Sequence, residues 1–243
     1  MAKFSLKSLS KIQKDLRKRV LEISFHNNFS HLGSCLSAID LIYSIYKVKK
    51  TKDIFVLSNG HAGVAYYTIL EKFGYIKDKN ISEKLYVHPD RSKDLGIHVS
   101  SGSLGQGFAI ALGMALSDKK KSIYCMISDG ESTEGSIWET LNIAVKFKIH
   151  NLTLVVNANG WSAYDKVNLS SLLKKLKGFG AKVIEIDGHS DKKIIKALKK
   201  SVNGFKVIYA YTNSGQLPFL KDLDAHYYTM TTKDYEIAQK LLS

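Results

Sequence analysis

Apolar residues recur along the chain in two rhythms. Between residues 6 and 27, Leu9, Ile12, Leu16, Val20 and Ile23 fall three or four positions apart, the spacing that gathers side chains on one face of an α-helix. A second helix is predicted over about 37–46, where Ile39, Leu41, Ile42 and Ile45 are apolar. Then short stretches rich in apolar residues appear at 53–58, 122–128, 152–157, 182–187 and 206–211, each of strand length. Turn residues follow every run. Helices are predicted from the turn at 59–63 through Tyr75, from a glycine-rich stretch at 102–107 through Leu116, over about 136–147 and over about 192–202. Residues 212–232 read as a loop-rich tail. Strands alternating with helices predict an α/β fold: a doubly wound, mainly parallel sheet with helices on both faces. No repeat, low-complexity segment or shift in composition breaks the chain, so one domain over residues 1–243 is expected.

Composition changes this picture little. Apolar residues make up 44% and charged residues 24%, ordinary for a soluble globular protein. No apolar run approaches the length that spans a bilayer, so no membrane partner is expected. The basic N-terminal stretch from Met1 to Arg19 lacks the apolar core of a secretory signal. Cys35 and Cys125 lie far apart in apolar contexts, which fits reduced core thiols of a cytoplasmic protein. The net charge of +14 raises nucleic acid as a partner. The lysines, however, fall in short clusters without interleaved aromatic residues, such as Lys119-Lys120-Lys121 and Lys199-Lys200, and solvated lysines are the stronger reading.

Candidate chemistry collects where the strands end. Open α/β sheets bind ligands at the carboxyl ends of their strands. Here those ends carry Asn59-Gly60-His61, Asp129-Gly130-Glu131, Asn157-Ala158-Asn159-Gly160, Asp187-Gly188-His189, and Thr212 with His226 further on. Asp129 and Asn159 are the sharpest pair. They terminate successive strands joined by one helix, and they offer a carboxylate and an amide oxygen, the donors a hard divalent cation prefers. No strand is followed by Gly-x-Gly-x-x-Gly, which excludes a Rossmann dinucleotide site. Gly102-Ser103-Leu104-Gly105-Gln106-Gly107 opens a helix instead, and such starts present backbone N–H groups to anions. Met114, Met126 and Trp138 read as core packing; His26, His150 and His189 read as structural or exposed.

Taken together, these stretches resemble the N-terminal part of transketolase. Ser128-Asp129-Gly130-Glu131 through Asn159 resembles the family's thiamine-diphosphate motif, in which Gly-Asp-Gly is followed some thirty residues on by Asn. His31-Leu32-Gly33-Ser34, Leu57-Ser58-Asn59-Gly60-His61-Ala62, Val87-His88-Pro89-Asp90, the glycine-rich stretch from Gly102, Glu134-Gly135 and Asp187-Gly188-His189 are similar to further family motifs in the family's order. The resemblance covers about residues 10–230.

The resemblance implies a thiamine-diphosphate-binding fold and a set of roles. Asp129 and Asn159, with the backbone carbonyl of Trp161, would hold Mg²⁺. Gly130 would let the backbone approach the diphosphate, His61 and His226 would contact the diphosphate side, Gly102 and Leu104 would flank the aminopyrimidine or diphosphate through backbone groups, and Ser103 and Glu131 would count among the cofactor-binding residues. His31 and His88 would face the reacting centre and assist proton transfers. Glu134 would belong to the acid network at the subunit interface. Ser128 and Leu32 depart from the family's glycine and proline, and Asn157-Ala158-Asn159 from its Asn or Asp pair. His98 stands where many relatives are acidic. In the family a second, pyrimidine-binding domain supplies the activating glutamate. That domain is expected to be absent here and carried, with the C-terminal domain, by a second subunit, in a heterotetramer acting on sugar phosphates. The implied activity is transfer of a two-carbon ketol unit. A related enzyme of specialised sugar or deoxysugar-phosphate synthesis, and a catalytically silent scaffold, are the alternatives.

Overall fold

The computed structural model describes residues 4–243; the first three residues of the basic N-terminal stretch lie outside it. Five strands, β1 (Ile54–Leu57), β2 (Ile123–Ser128), β3 (Leu152–Ala158), β4 (Lys182–Asp187) and β5 (Lys206–Tyr211), form one sheet in the order β1-β2-β3-β5-β4. Every pairing is parallel, as the apolar runs predict. β2 and β3 are buried along their whole length, whereas β4, at the edge, is only partly covered.

Helices cover both faces. On one lie α1 (Lys11–His26), α2 (Leu32–Val48), α3 (Gly63–Lys72) and α8 (Asp191–Lys199), packing Val20, Ile39, Ile42, Tyr66 and Ile194 against Phe55, Met126, Val155 and Ile208. On the other lie α5 (Gln106–Ser117), α6 (Gly135–Lys146) and α7 (Leu169–Gly178), packing Phe108, Ile137, Leu141 and Leu172 against Cys125, Leu154 and Val207. Two short helices, α4 (Lys79–Ser82) and α9 (Asp224–Tyr227), and a final α10 (Thr232–Leu241) complete the fold. No helix among the described residues is long and apolar enough to cross a membrane.

Three differences from the sequence expectation have physical causes. Helix α2 begins at Leu32, five residues before the predicted start, because its first turns are buried all round and show no polar face to set a period. Its N-cap, His31, adopts a left-handed conformation with φ 63°. Helix α7 was not predicted: only Leu172 and Leu176 are buried, and the helix is set by Asn168, whose side chain accepts the Ser171 N–H. Helix α10, also not predicted, buries only Ala238 and starts at a capping box between Thr231 and Asp234. The tail at 212–232 is loop-rich as expected apart from the short α9, yet it places Leu217, Leu220, Ala225 and Met230 in the core.

Backbone hydrogen bonds continue the sheet ladder past the strand ends. Ser58 N–H donates to Met126 O, Asp129 N–H to Asn157 O, and Thr212 N–H to Ala158 O. The turns after β1, β2, β3 and β5 are therefore held side by side at one edge.

Candidate functional site

At the end of β2 the Asp129 side chain is fully buried. Its Oδ1 accepts the Gly130 N–H at 3.0 Å and its Oδ2 the Gly160 N–H at 2.5 Å. Burial pushes the carboxyl up to about 7, against the pull of these bonds. Among the described residues it has no cationic partner, an unusual state for a buried carboxylate. Asn159 flanks the same turn, with its Oδ1 accepting the Trp161 N–H at 2.9 Å. Gly130 is required by contact: a Cβ there would stand 2.8 Å from Ser162 Cα and 3.4 Å from the Trp161 carbonyl oxygen. Asp129 and Asn159 are thus bonded to the backbone of Gly160 and Trp161, and the Trp161 carbonyl lies beside Gly130. No group of three or more His, Cys, Asp or Glu side chains among the described residues is arranged for a metal. This corner instead offers carboxylate, amide and carbonyl oxygens, the donor set of a hard cation.

Ser128, which departs from the family's glycine, is accommodated. Its hydroxyl accepts the Glu131 N–H at 3.1 Å and caps the turn that carries Asp129. The sequence grouped Glu131 with cofactor contacts, but its carboxylate faces inward. It accepts bonds from the Ser58 hydroxyl, from Gly105 N–H at 2.7 Å and from Ser128 N–H at 3.3 Å. Burial pushes it, too, up to about 7. Glu131 therefore clamps the ends of β1 and β2 to the glycine-rich stretch. In that stretch Gly105 has φ 85°, and a Cβ would meet the Ser136 hydroxyl oxygen at 2.3 Å. Gly102 packs against the His88 ring, and Gly60 against the Ser101–Gly102 backbone. Ser103 is exposed and Leu104 half-buried beside them. Glu134 lies at the N-cap of α6, half-buried, with no side-chain capping bond.

Four histidines meet at this edge. The His31 ring centroid lies 4.6 Å from His226, 5.6 Å from His61 and 6.1 Å from His88, and His61 lies 5.3 Å from His226. Residues as distant in sequence as His31 and His226 are gathered here because α2, the turn after β1 and the tail share one end of the sheet. His31 N–H donates to the His226 carbonyl at 2.9 Å. A Cβ on Gly33 would stand 2.6 Å from the Ala225 carbonyl oxygen, so the start of α2 and the tail are in close contact. Burial, reinforced by the charges of His226 and His88, pushes His31 down to about 4. Burial also lowers His61 and His226. Burial thus favours the neutral imidazole at His31, His61 and His226. His31 Nδ1 is buried and lacks a hydrogen-bond partner.

Some polar residues at the edge carry no role in the sequence reading. Both polar atoms of the Asn59 side chain and the Ser101 hydroxyl are buried and unpartnered. Asn59 stands within the motif that runs from Leu57 to Ala62, the one signal that could have marked it. His189, by contrast, is structural, as expected. Its Nδ1 lies 2.8 Å from Asp40 Oδ2, and its Nε2 accepts the Asn213 N–H at 2.9 Å. Arg17 forms a two-pronged ion pair with Asp40 at 2.6 and 3.0 Å and donates from Nε to Gln216 Oε1 at 2.8 Å. This network ties α1 and α2 to the base of the tail.

Residues 14–206 match the family described as the thiamine diphosphate binding domain of transketolase. One of the subunits of apulose-4-phosphate transketolase from Actinobacillus succinogenes is 28% identical over 239 residues, covering 87% of this chain and 86% of that protein. The 6-deoxy-6-sulfo-D-fructose transketolase subunit SqwG of a Clostridium species is 32% identical over 212 residues, 76% of each. A transketolase structure from Pichia stipitis superposes with a TM-score of 0.87 over 97% of this chain at 21% identity, a likeness of fold. The chain spans 41% of that protein and 38% of the human transketolase it matches. By the match over most of its length, the chain belongs to the transketolase family, as a thiamine-diphosphate-binding domain.

Proposed function

We propose that this chain is the N-terminal, diphosphate-binding subunit of a two-chain transketolase that uses Mg²⁺ and thiamine diphosphate. The observation that carries the reading is the buried Asp129 carboxylate, without a cation of its own, beside the amide of Asn159 and the carbonyl of Trp161. The residues fit the group. Asp129, Asn159 and the Trp161 carbonyl would hold Mg²⁺, and Gly130 leaves the backbone open to the diphosphate. Bound thiamine diphosphate would supply the electron sink for cleaving and forming a carbon–carbon bond.

The chain's own residues would do the rest. His61 and His226, neutral because they are buried, can hydrogen-bond phosphate oxygens without adding charge. His31, with a free Nδ1, and His88, exposed at the mouth, are placed to carry substrate hydroxyl protons. Gly102, Ser103 and Leu104 line the cofactor side through their backbone, held in place by Glu131. Glu134, half-buried outside the sheet edge, is suited to a subunit interface. The partner would bring the pyrimidine-binding and C-terminal domains, with two copies of each chain in a cytoplasmic heterotetramer. Two relatives are named as subunits, and their sizes are close to this chain's, which supports a partner. Their names, apulose-4-phosphate and 6-deoxy-6-sulfo-D-fructose transketolase subunits, support a sugar phosphate or a sulfonated sugar as the class acted on.

The decisive measurement is calorimetric titration of Mg²⁺ and thiamine diphosphate into the chain co-expressed with the product of the neighbouring reading frame. Saturable binding is expected, with ketol transfer between sugar phosphates, and Asp129→Ala should abolish both. An assembled complex that binds no thiamine diphosphate would overturn the proposal. Transfer activity that survives Asp129→Ala would overturn the metal assignment.

A further inference from the structure

The hairpin that carries Trp161 has few external supports. Its base is closed by the Val167 N–H donating to the Gly160 carbonyl at 2.9 Å. Trp161 and Lys166 pair as a lone antiparallel bridge, and the Ser162 N–H and hydroxyl both donate to the Asp165 carbonyl. All of these bonds are internal. Ser162 rests against Gly130. Among the described residues, one hydrogen bond from beyond residues 159–167 reaches residues 161–166: the Tyr227 hydroxyl donates to the Ala163 carbonyl at 2.7 Å.

Tyr227 stands on a well-anchored segment. The preceding carbonyl, that of His226, accepts the His31 N–H. Ala225 is 3% exposed and packed on Gly33. Leu217, Leu220 and Met230 are in the core, and Gln216 is bonded to the buried Arg17. The Tyr227 ring lies 5.0 Å from His226 and 6.3 Å from His31, while its hydroxyl crosses to the hairpin. It spans the mouth between the histidine cluster and the metal corner.

We infer that Tyr227 is a positioning residue. Its hydroxyl holds the Trp161 hairpin in place before Mg²⁺ and thiamine diphosphate arrive, and it couples His226 to the metal corner. The inference rests on the function proposed above, but its first readout does not. Hydrogen exchange of the chain without ligands should show amides 161–166 opening about fivefold faster in Tyr227→Phe, the equilibrium equivalent of one hydrogen bond. Tyr164→Phe, in the same hairpin but 88% exposed and without that bond, should leave exchange unchanged. In the assembled complex, Tyr227→Phe should raise the Mg²⁺ and thiamine diphosphate dissociation constants by a similar factor. Its ligand-free melting temperature should stay at the parent value, a split that a general loss of stability does not produce. Unchanged exchange in Tyr227→Phe, or equal acceleration in Tyr164→Phe, refutes the inference. If the parent complex binds no thiamine diphosphate, the proposed function falls, and the exchange data still decide the role of Tyr227.

Discussion

Removing the charge of Asp40 should cost the fold far more than removing any of its solvent-exposed charges. Arg17 and Asp40 are both fully buried, and their two contacts at 2.6 and 3.0 Å are the only carboxylate bonds Arg17 makes among the described residues. Asp40→Asn would leave a guanidinium in the interior facing Gln13 and Gln216, which carry no charge. Breaking one partner of such a pair costs about 3–5 kcal/mol. For a domain of this size, each kcal/mol moves the melting temperature by roughly 2–4 °C, so the drop should be about 6–20 °C by calorimetry. The pair should also leave a pH signature. Burial alone would push the Asp40 carboxyl up, but the charge of Arg17 and the hydrogen bond from His189 outweigh it and hold it down to about 2. A folded value below the unfolded 3.8 contributes stability that is full above that range and lost as pH falls toward about 2. The companion variant Arg17→Met/Asp40→Leu removes both charges and should recover most of the loss. An Asp40→Asn variant within about 1 kcal/mol of the parent, or a double variant less stable than the single one, would refute the reasoning.

Gly130→Ala should fold but lose affinity for Mg²⁺ and thiamine diphosphate by at least about tenfold in calorimetric titration, because the new methyl would press on backbone at Ser162. Gly105→Ala combines a left-handed φ of 85° with a collision at Ser136 and Glu134; it should cost about 2 kcal/mol in chemical denaturation. Cys35 and Cys125 are fully buried, and burial pushes the Cys35 thiol up to about 12, so neither should react with a thiol reagent until the chain is unfolded.

The fold was legible because burial on both faces leaves its mark in sequence. The runs at 122–128 and 152–157 are mostly apolar, interrupted only by Ser122, Ser128, Thr153 and Asn157, and became β2 and β3, each wholly buried. Alternation of strands and helices then determined a parallel sheet. Helices α7 and α10 escaped notice because they bury only two residues and one residue, and their starts depend on caps at Asn168 and Thr231. At the site, Asp129 and Asn159 could be paired from strand ends alone, since each follows an apolar run. The inward turn of Glu131 could not be read, because its partners Ser58 and Gly105 lie 73 and 26 positions away. His31 and His88 were suggested only by family motifs, and His61 and His226 also by the strand ends they follow; nothing in local periodicity links His31 to His226. Tyr227 and the Arg17–Asp40 network carry no local signal at all, because each depends on contacts across the tail.

The strand order bears on how the chain is made. β5 lies between β3 and β4, although it is the last strand in sequence. During synthesis β2 and β3 can pair as soon as residue 158 emerges, which assembles the Asp129 corner early. The outer edge of β3 then stays open until Lys206–Tyr211 has been translated, and β4 has no neighbour at all in that interval. An open, largely apolar edge is a template for wrong pairing. The nascent chain should therefore be most dependent on chaperones between the completion of β3 and the insertion of β5, and slowing translation across that stretch should lower the soluble yield without altering the finished protein.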